Sequence, residues 1–204
     1  MLIQVNARRG GIGTSTLAFC LAWSHPNPCI LLDASSHSGG IQWVSGAGEI
    51  NTSWPIFFAD QWNDNLMSQF ERLMYRTQHL GFFSGGALPP SRILNQWITQ
   101  LADQLIIVDG KVPGLEKDAI EIQHATNSLQ EWRDVETASS DITVIQLRVN
   151  GLPKKYFTDE LGLENVYFYP HQKAVRNSLE LGLGIHTSSK VFKTAQSVLR
   201  HVLR

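Results

Sequence analysis

The 204-residue sequence predicts an α/β protein, a predominantly parallel sheet with helices on both faces, and three observations carry that expectation. A glycine-rich loop spans Ala7 to Thr16, between the apolar run Leu2-Ile3-Gln4-Val5 and a helical pattern. Two further apolar runs, Cys29-Ile30-Leu31-Leu32 and Leu105-Ile106-Ile107-Val108, each end in an aspartate. Strand-like and helix-like stretches then alternate along the rest of the chain. Uninterrupted apolar strands mark a sheet covered on both faces.

Taken in order, residues 2–5 form the first strand and 15–23 the first helix, which His25-Pro26-Asn27-Pro28 ends. A buried strand follows at 29–32, then a small-residue loop from Ala34 to Gly40, apolar character again at 41–44 around Trp43, and an irregular stretch over 46–55. Helical spacing covers 65–74, and 79–83 is strand-like before the turn Ser84-Gly85-Gly86. Pro89-Pro90-Ser91 opens a helix whose stripe Ile93, Leu94, Trp97, Ile98 and Leu101 faces the core. The clearest strand is 105–109; strands at 118–122 and 142–149 flank a helix at 127–135. A reduced unit closes the chain: helical at 156–161, extended at 166–168, helical at 174–183 and a final helix at 189–203. One domain over 1–204 accounts for all of this.

Composition narrows the function. Seventeen basic against eighteen acidic residues give a net charge of -1, which supplies no global attraction to nucleic acid or anionic lipid. No stretch approaches the ~20 apolar residues of a membrane span, and the start has no basic leader segment, so a cytoplasmic protein is expected. Cys20 and Cys29 lack metal-ligand spacing and read as buried thiols, and the seven histidines form no metal motif.

The glycine loop has the spacing of a phosphate-binding loop, G-x-x-x-x-G-K-[ST], and the order strand, loop, helix that such a loop requires. This makes the expected fold P-loop NTPase-like. Gly10, Gly11, Gly13 and the hydroxyl of Ser15 stand in register, but Arg8 takes the place of the first glycine and Thr14 that of the lysine. In an open α/β sheet the ligand crevice lies beyond the carboxyl ends of the strands, so Asp33 and Asp109 are both directed to the same place as the loop. There such acids orient Mg²⁺ or water, or else simply cap the loops that follow.

Arg9-Gly10-Gly11-Ile12-Gly13-Thr14-Ser15-Thr16 resembles the deviant Walker A motif K-G-G-x-G-K-[ST] of the ParA/MinD group. Leu31-Leu32-Asp33-Ala34-Ser35 is similar to its switch I region and Ile107-Val108-Asp109 to its Walker B strand end. Within that group the chain most resembles actinobacterial CpaE-like proteins, also called septum site-determining or TadZ-like. Their D-A-D-P-x-G-G-G-L-D stretch is similar to the run from Asp33 to Gln42, and the segments Glu160 to Leu163, Ala174-Val175 and Leu179 to Gly182 also resemble theirs. Larger relatives carry an N-terminal receiver-like domain, whereas this chain opens at the loop strand.

The resemblance implies a nucleotide site at Arg8, Arg9, Gly10, Gly11, Gly13, Thr14, Ser15, Thr16, Asp33 and Asp109, with Ser15, Asp33 and Asp109 as Mg²⁺ ligands if a nucleotide binds. It also shows what is missing. The group's signature lysine corresponds to Arg9, its loop lysine to Thr14 and its water-positioning aspartate to Ser35. Loss of single electrostatic groups at such sites costs ~10²-fold or more in rate, so the expectation is a degenerate site with no catalytic residue. The cofactor is then none, or ATP or ADP with Mg²⁺.

The resemblance further implies a homodimer that acts on a pilus or secretion assembly or on septum-site machinery, recruited to a membrane or cell pole. The alternative is an active nucleotide-dependent dimerisation switch in which Arg9 replaces the lysines. Arg8-Arg9 is either a phosphate-binding pair or an ordinary solvated one, and Lys154-Lys155 either faces the crevice or sits in a solvated loop. The last helix carries Phe192, Ala195, Leu199 and Val202 on one stripe, with Lys190, Lys193, Arg200 and Arg204 elsewhere. It packs on the sheet or, as a basic amphipathic helix, touches a membrane peripherally. Trp23, Trp97 and Trp132 are expected in the core, Trp43 and Trp54 at a protein interface. No specific nucleic-acid partner is expected.

Overall fold

A computed structural model describes residues 1–34, 40–46, 66–77, 79–84, 88–101, 103–132, 140–181 and 183–204. An eight-stranded sheet runs in the order β3-β4-β2-β5-β1-β6-β7-β8. Its strands are β1 (Leu2–Ala7), β2 (Cys29–Asp33), β3 (Tyr75–Arg76), β4 (Leu80–Phe83), β5 (Leu105–Asp109), β6 (Ala119–Thr126), β7 (Ile142–Leu147) and β8 (Val166–Pro170). All neighbours pair in parallel except β3, which lies antiparallel at one edge. The expected α/β class and parallel sheet are what the chain adopts.

Alternation along the strands divides the interior into two layers. Ile3, Val5, Leu31 and Ile107 point to one face, where α1 (Thr14–Ser24) and α7 (Lys190–Val202) pack. Leu2, Ile30, Leu32, Ile106 and Val108 point to the other, against Phe70 of α3 (Leu66–Leu73) and Leu94, Trp97 and Ile98 of α4 (Ser91–Gln100). Helix α1 is buried continuously from Thr16 to Ala22 because the sheet covers one side and α7 another; hence its apolar residues show no single stripe. Phe192, Ala195 and Leu199 of α7 are buried against α1 and β8, so that stripe packs inside the fold.

Several elements depart from expectation. Residues 41–44 lie in a short helix, α2 (Gly40–Ser45). β6 runs four residues beyond 122, through the polar Gln123, His124 and Thr126, because it pairs with β1 on one side and β7 on the other. The helix expected at 127–135 is only α5 (Leu129–Trp132) among the described residues, since Asn127 and Ser128 form a turn instead. β7 stops at Leu147 rather than 149: the Asn127 side chain accepts from the Arg148 amide at 2.7 Å and donates to its carbonyl, ending the ladder. Residues Tyr156–Glu160 form a single π-helical turn, and α6 (Lys173–Glu180) is shorter than the expected 174–183 at its far end. Trp97 and Trp132 are buried as expected, but Trp23 is 40% exposed, stacked on Phe19 at 5.7 Å at the surface end of α1. Cys20 and Cys29 are buried free thiols, and burial pushes the Cys29 thiol up to about 12. Ser35 and Trp54 lie outside the described residues, as does the Trp43 side chain.

Candidate functional site

Three strand ends and one loop meet at a single edge of the sheet. β1 delivers the loop 8–13, and Gly13 caps α1 in the left-handed region at φ +92°, a conformation that L side chains avoid. The first amides of α1 have no partner within the helix and face the loop, which makes this an electropositive helix start. Asp33 and Asp109 are register partners at the ends of β2 and β5, with Val5 of β1 beside Asp109. The sheet therefore brings Ser15, Asp33 and Asp109 together, as the strand-end argument required.

What these groups bond to decides their chemistry. Ser84 at the end of β4 donates to Asp33 Oδ2 at 3.1 Å, and the Gln42 amide of α2 donates in turn to Ser84 Oγ. The Ser15 hydroxyl bonds the Asp109 carboxylate. Burial pushes the Asp109 carboxyl up to about 7; the Ser15 bond lowers it in part and the neighbouring Asp33 charge raises it. Asp109 Oδ2 has no hydrogen-bond partner among the described residues. Gly40 closes over the pair from above: a Cβ built there would lie 2.5 Å from Ser15 Oγ.

Thr14, in the lysine position, reaches a different partner. Its Oγ1 lies 3.2 Å from His124 Nδ1, and His124 Nε2 lies 2.8 Å from the Tyr169 hydroxyl. Gln146 Nε2 donates to that same hydroxyl at 3.4 Å. His124 has no solvent exposure, and desolvation drives its imidazole down to about 3, so the ring is neutral at physiological pH. A histidine inside β6, opposite Ala7 of β1, thus takes over the neighbourhood where a loop lysine would supply charge. It lies between Gln123 and Ala125 in a mixed polar stretch that gives no signal in the sequence, and its partner Tyr169 lies 45 residues away.

The arginines divide. Arg8 turns away from the loop: its guanidinium carbon sits 4.2 Å above the Trp132 ring and Nη1 donates to the Glu131 carbonyl at 3.3 Å. Burial lowers its pKa, which Glu131 offsets in part. Arg9 is exposed, and with Arg8, Gln130 and Glu131 it borders an open hollow. Lys154 lies 5.4 Å from the Phe168 ring and, like Lys155, is exposed.

On the other side of the loop, toward β7 and β8, a cavity of about 370 Å³ opens between Gly11–Gly13, Tyr169 and α6. That volume is within the range of small-molecule sites.

A metal-bound triphosphate at this edge of the sheet would meet Ser15, Asp33 and Asp109. Oxygen donors suited to Mg²⁺ are present, and the orphaned Asp109 Oδ2 is one of them. No cation of the loop stands beside the carboxylates, however, and Asp33 and Ser15 are already engaged. Among the described residues, no cluster of three or more histidines, cysteines or acids suits a metal ion, and no helix is long and apolar enough to cross a membrane.

No family model and no curated protein matches the chain. Solved structures do. A ParA family ATPase from Chlorobium tepidum superposes with a TM-score of 0.71 at 17% identity, covering 98% of each chain. MinD in a MinC:MinD cell division complex from Aquifex aeolicus gives 0.75 at 12%, over 99% of this chain and 95% of that one. A plasmid partition protein from Borrelia burgdorferi bound to AMPPNP gives 0.63 at 13%, over 99% and 98%. At these identities the likeness is one of fold, which is that of the ParA/MinD ATPases.

Proposed function

We propose that the protein is a non-hydrolysing ParA/MinD-like scaffold of one domain, acting in the cytoplasm as a homodimer. Through protein–protein contacts it positions a pilus or secretion assembly or septum-site machinery, and any membrane or polar location comes from its partners. The hydrogen bond between Thr14 and the neutral, buried His124 carries this reading. Transition-state charge on a transferred phosphoryl group needs preorganised cations. Here the position that would supply one is a hydroxyl engaged with an uncharged ring. The fold shared with a MinC-bound MinD and with plasmid partition proteins supports a positioning role.

The test is phosphate release from ATP with Mg²⁺. The expected rate is that of the buffer, and Asp33→Ala leaves it unchanged. Magnesium-dependent turnover that disappears in Asp33→Ala overturns the reading.

A nucleotide-dependent dimerisation switch using Arg9 is the second reading. One observation favours it: the exposed Arg9 side chain has no partner among the described residues and is free to reach a phosphate. It requires heat on titration with ATP or ADP, lost in Arg9→Ala, together with a change in oligomeric state. Calorimetry without heat for either nucleotide removes it.

A further inference from the structure

β8 ends the sheet on the side away from β3, and among the described residues no strand pairs with its outer side. The Thr143 amide donates to the Asn165 carbonyl and the His171 amide to the Leu147 carbonyl, each at 2.9 Å. In a parallel ladder this turns the backbone groups of residues 165, 167, 169 and 171 toward β7, and those of Val166, Phe168 and Pro170 outward. The amides and carbonyls of Val166 and Phe168, and the Pro170 carbonyl, have no hydrogen-bond partner among the described residues. An open edge of this kind is a template for one more strand, and Pro170, with no N–H to offer, marks its end.

The two faces beside that edge carry charge of one sign. Toward α7, a hollow of about 440 Å³ is bordered by Tyr167, Ser197, Arg200, His201 and Arg204. The Tyr167 hydroxyl lies 2.6 Å from His201 Nδ1, and Arg200 donates only to neutral acceptors, the Gln196 carbonyl and Ser197 Oγ, both at 3.3 Å. The Arg204 side chain has no hydrogen-bond or ion-pair partner among the described residues. From Ile185 to Arg204 the chain contains no acid, and Glu164, the acid nearest to β8 in sequence, stands ahead of the strand. On the opposite face, Lys154 Nζ sits 5.4 Å from the centre of the Phe168 ring. Two copies of β8 laid edge to edge bring cations against cations, which favours an occupant of the opposite charge.

We propose that the outer edge of β8 is a docking site for an extended acidic segment of a partner protein, which adds to the sheet as one further strand. Its backbone takes the free groups of Val166 and Phe168, while its side chains alternate, acids toward Arg200 and Arg204 and apolar residues toward Phe168. Main-chain bonds then supply affinity, and the arginines select the charge of the segment. The site does not rest on the glycine loop or on what that loop binds, so ATP turnover by the protein would leave it standing.

The probe is a synthetic peptide of about eight residues that alternates glutamate with valine, titrated into the intact chain by calorimetry and followed by amide hydrogen exchange. It is expected to bind at millimolar concentration or below, more weakly as salt rises. Exchange of the Val166 and Phe168 amides should slow by on the order of ten-fold while that of the β5 amides is unchanged. Arg200→Gln combined with Arg204→Gln should weaken binding by on the order of ten-fold, and both side chains are exposed, so the fold is retained. The same peptide methylated at every backbone nitrogen keeps its charge but loses its donors, and should bind more weakly by on the order of ten-fold or more. No binding at millimolar concentration overturns the proposal, as does equal binding of the methylated peptide or of a counterpart with lysine for glutamate. Binding that leaves the Val166 and Phe168 amides unprotected, or that is indifferent to the paired substitutions, overturns it as well. Co-sedimentation with vesicles of phosphatidylserine and phosphatidylcholine that is lost in the double variant, without peptide binding, assigns the cations to a membrane surface and likewise refutes it.

Discussion

Thr14 Oγ1 and His124 Nδ1 stand 3.2 Å apart, so a residue of the glycine loop is fastened to the middle of the sheet rather than left to face a ligand. The link continues from His124 Nε2 to the Tyr169 hydroxyl on β8 at 2.8 Å, spanning β6, β7 and β8 beneath the cavity. Both ring nitrogens are satisfied, which is how a fully buried imidazole is tolerated.

His124→Leu keeps the volume and removes both bonds. It leaves the buried Tyr169 hydroxyl with only the long contact to Gln146 and deprives Thr14 of its partner. The expected cost is ~2–4 kcal/mol of unfolding free energy, read as a lower denaturant midpoint at constant m-value. A loss under ~0.5 kcal/mol would show that the chain of bonds does not hold the loop.

Titration of two buried groups opposes along the pH axis. His124 falls from 6.5 to about 3 on folding, so its contribution is full above 6.5 and is lost as pH falls toward 3. Asp109 rises from 3.8 to about 7, so its contribution is full below 3.8 and is lost as pH rises through 7. Asp109→Asn removes the second effect while preserving the shape of the side chain. The variant should exceed the parent by ~1–3 kcal/mol at pH 8, with the gain shrinking toward pH 4. A gain that is constant across pH, or absent at pH 8, refutes a raised Asp109 carboxyl.

The strands that carry the site were legible because their chemistry is local. Leu31-Leu32-Asp33 and Ile107-Val108-Asp109 are apolar runs that end in an acid, and parallel packing puts both ends at the glycine loop. What escaped the sequence depends on partners distant along the chain. β6 keeps extended geometry through Gln123, His124 and Thr126 only because β1 and β7 pair with it on both sides. His124 is inconspicuous until Tyr169 lies next to it, and Arg8 reads as a loop cation until Trp132 folds beneath it. The Asn127 turn likewise breaks an apparently continuous strand at Arg148, through hydrogen bonds that no periodicity records. Trp23 was expected in the core by helical spacing, but the last turn of α1 extends beyond its covering elements.

Gly40 brings the start of α2 against Ser15 of the loop helix. A Cβ there would meet Ser15 Oγ at 2.5 Å and Ser15 Cβ at 3.0 Å, so rotating the hydroxyl away does not relieve the contact and the backbone must shift. Gly40→Ala should therefore cost ~1–3 kcal/mol, against the usual gain of an alanine within a helix. Combined with Ser15→Gly, which removes both offending atoms, most of that cost should return. Additive losses in the double variant would show that α2 does not rest on Ser15.

Asn127 ties the end of β6 to the turn that carries Arg148. Its Oδ1 accepts from the Arg148 amide at 2.7 Å, while Nδ2 donates to the carbonyls of Arg148 at 3.2 Å and Leu152 at 3.0 Å. The side chain is 3% exposed, so water does not replace these bonds when it is cut back. Asn127→Ala leaves one donor and two acceptors short of a partner and should cost ~2–4 kcal/mol, whereas Asn127→Asp retains the acceptor but sets a carboxylate against two carbonyls. Hydrogen exchange separates this role from a general loss of packing. In Asn127→Ala the amides of Arg148 and Leu152 should lose protection by on the order of ten-fold or more relative to those of β5, because local opening of the turn no longer breaks a bonded side chain. Equal loss of protection in the two places would mean that the substitution acts on global stability and that the turn stands without its asparagine.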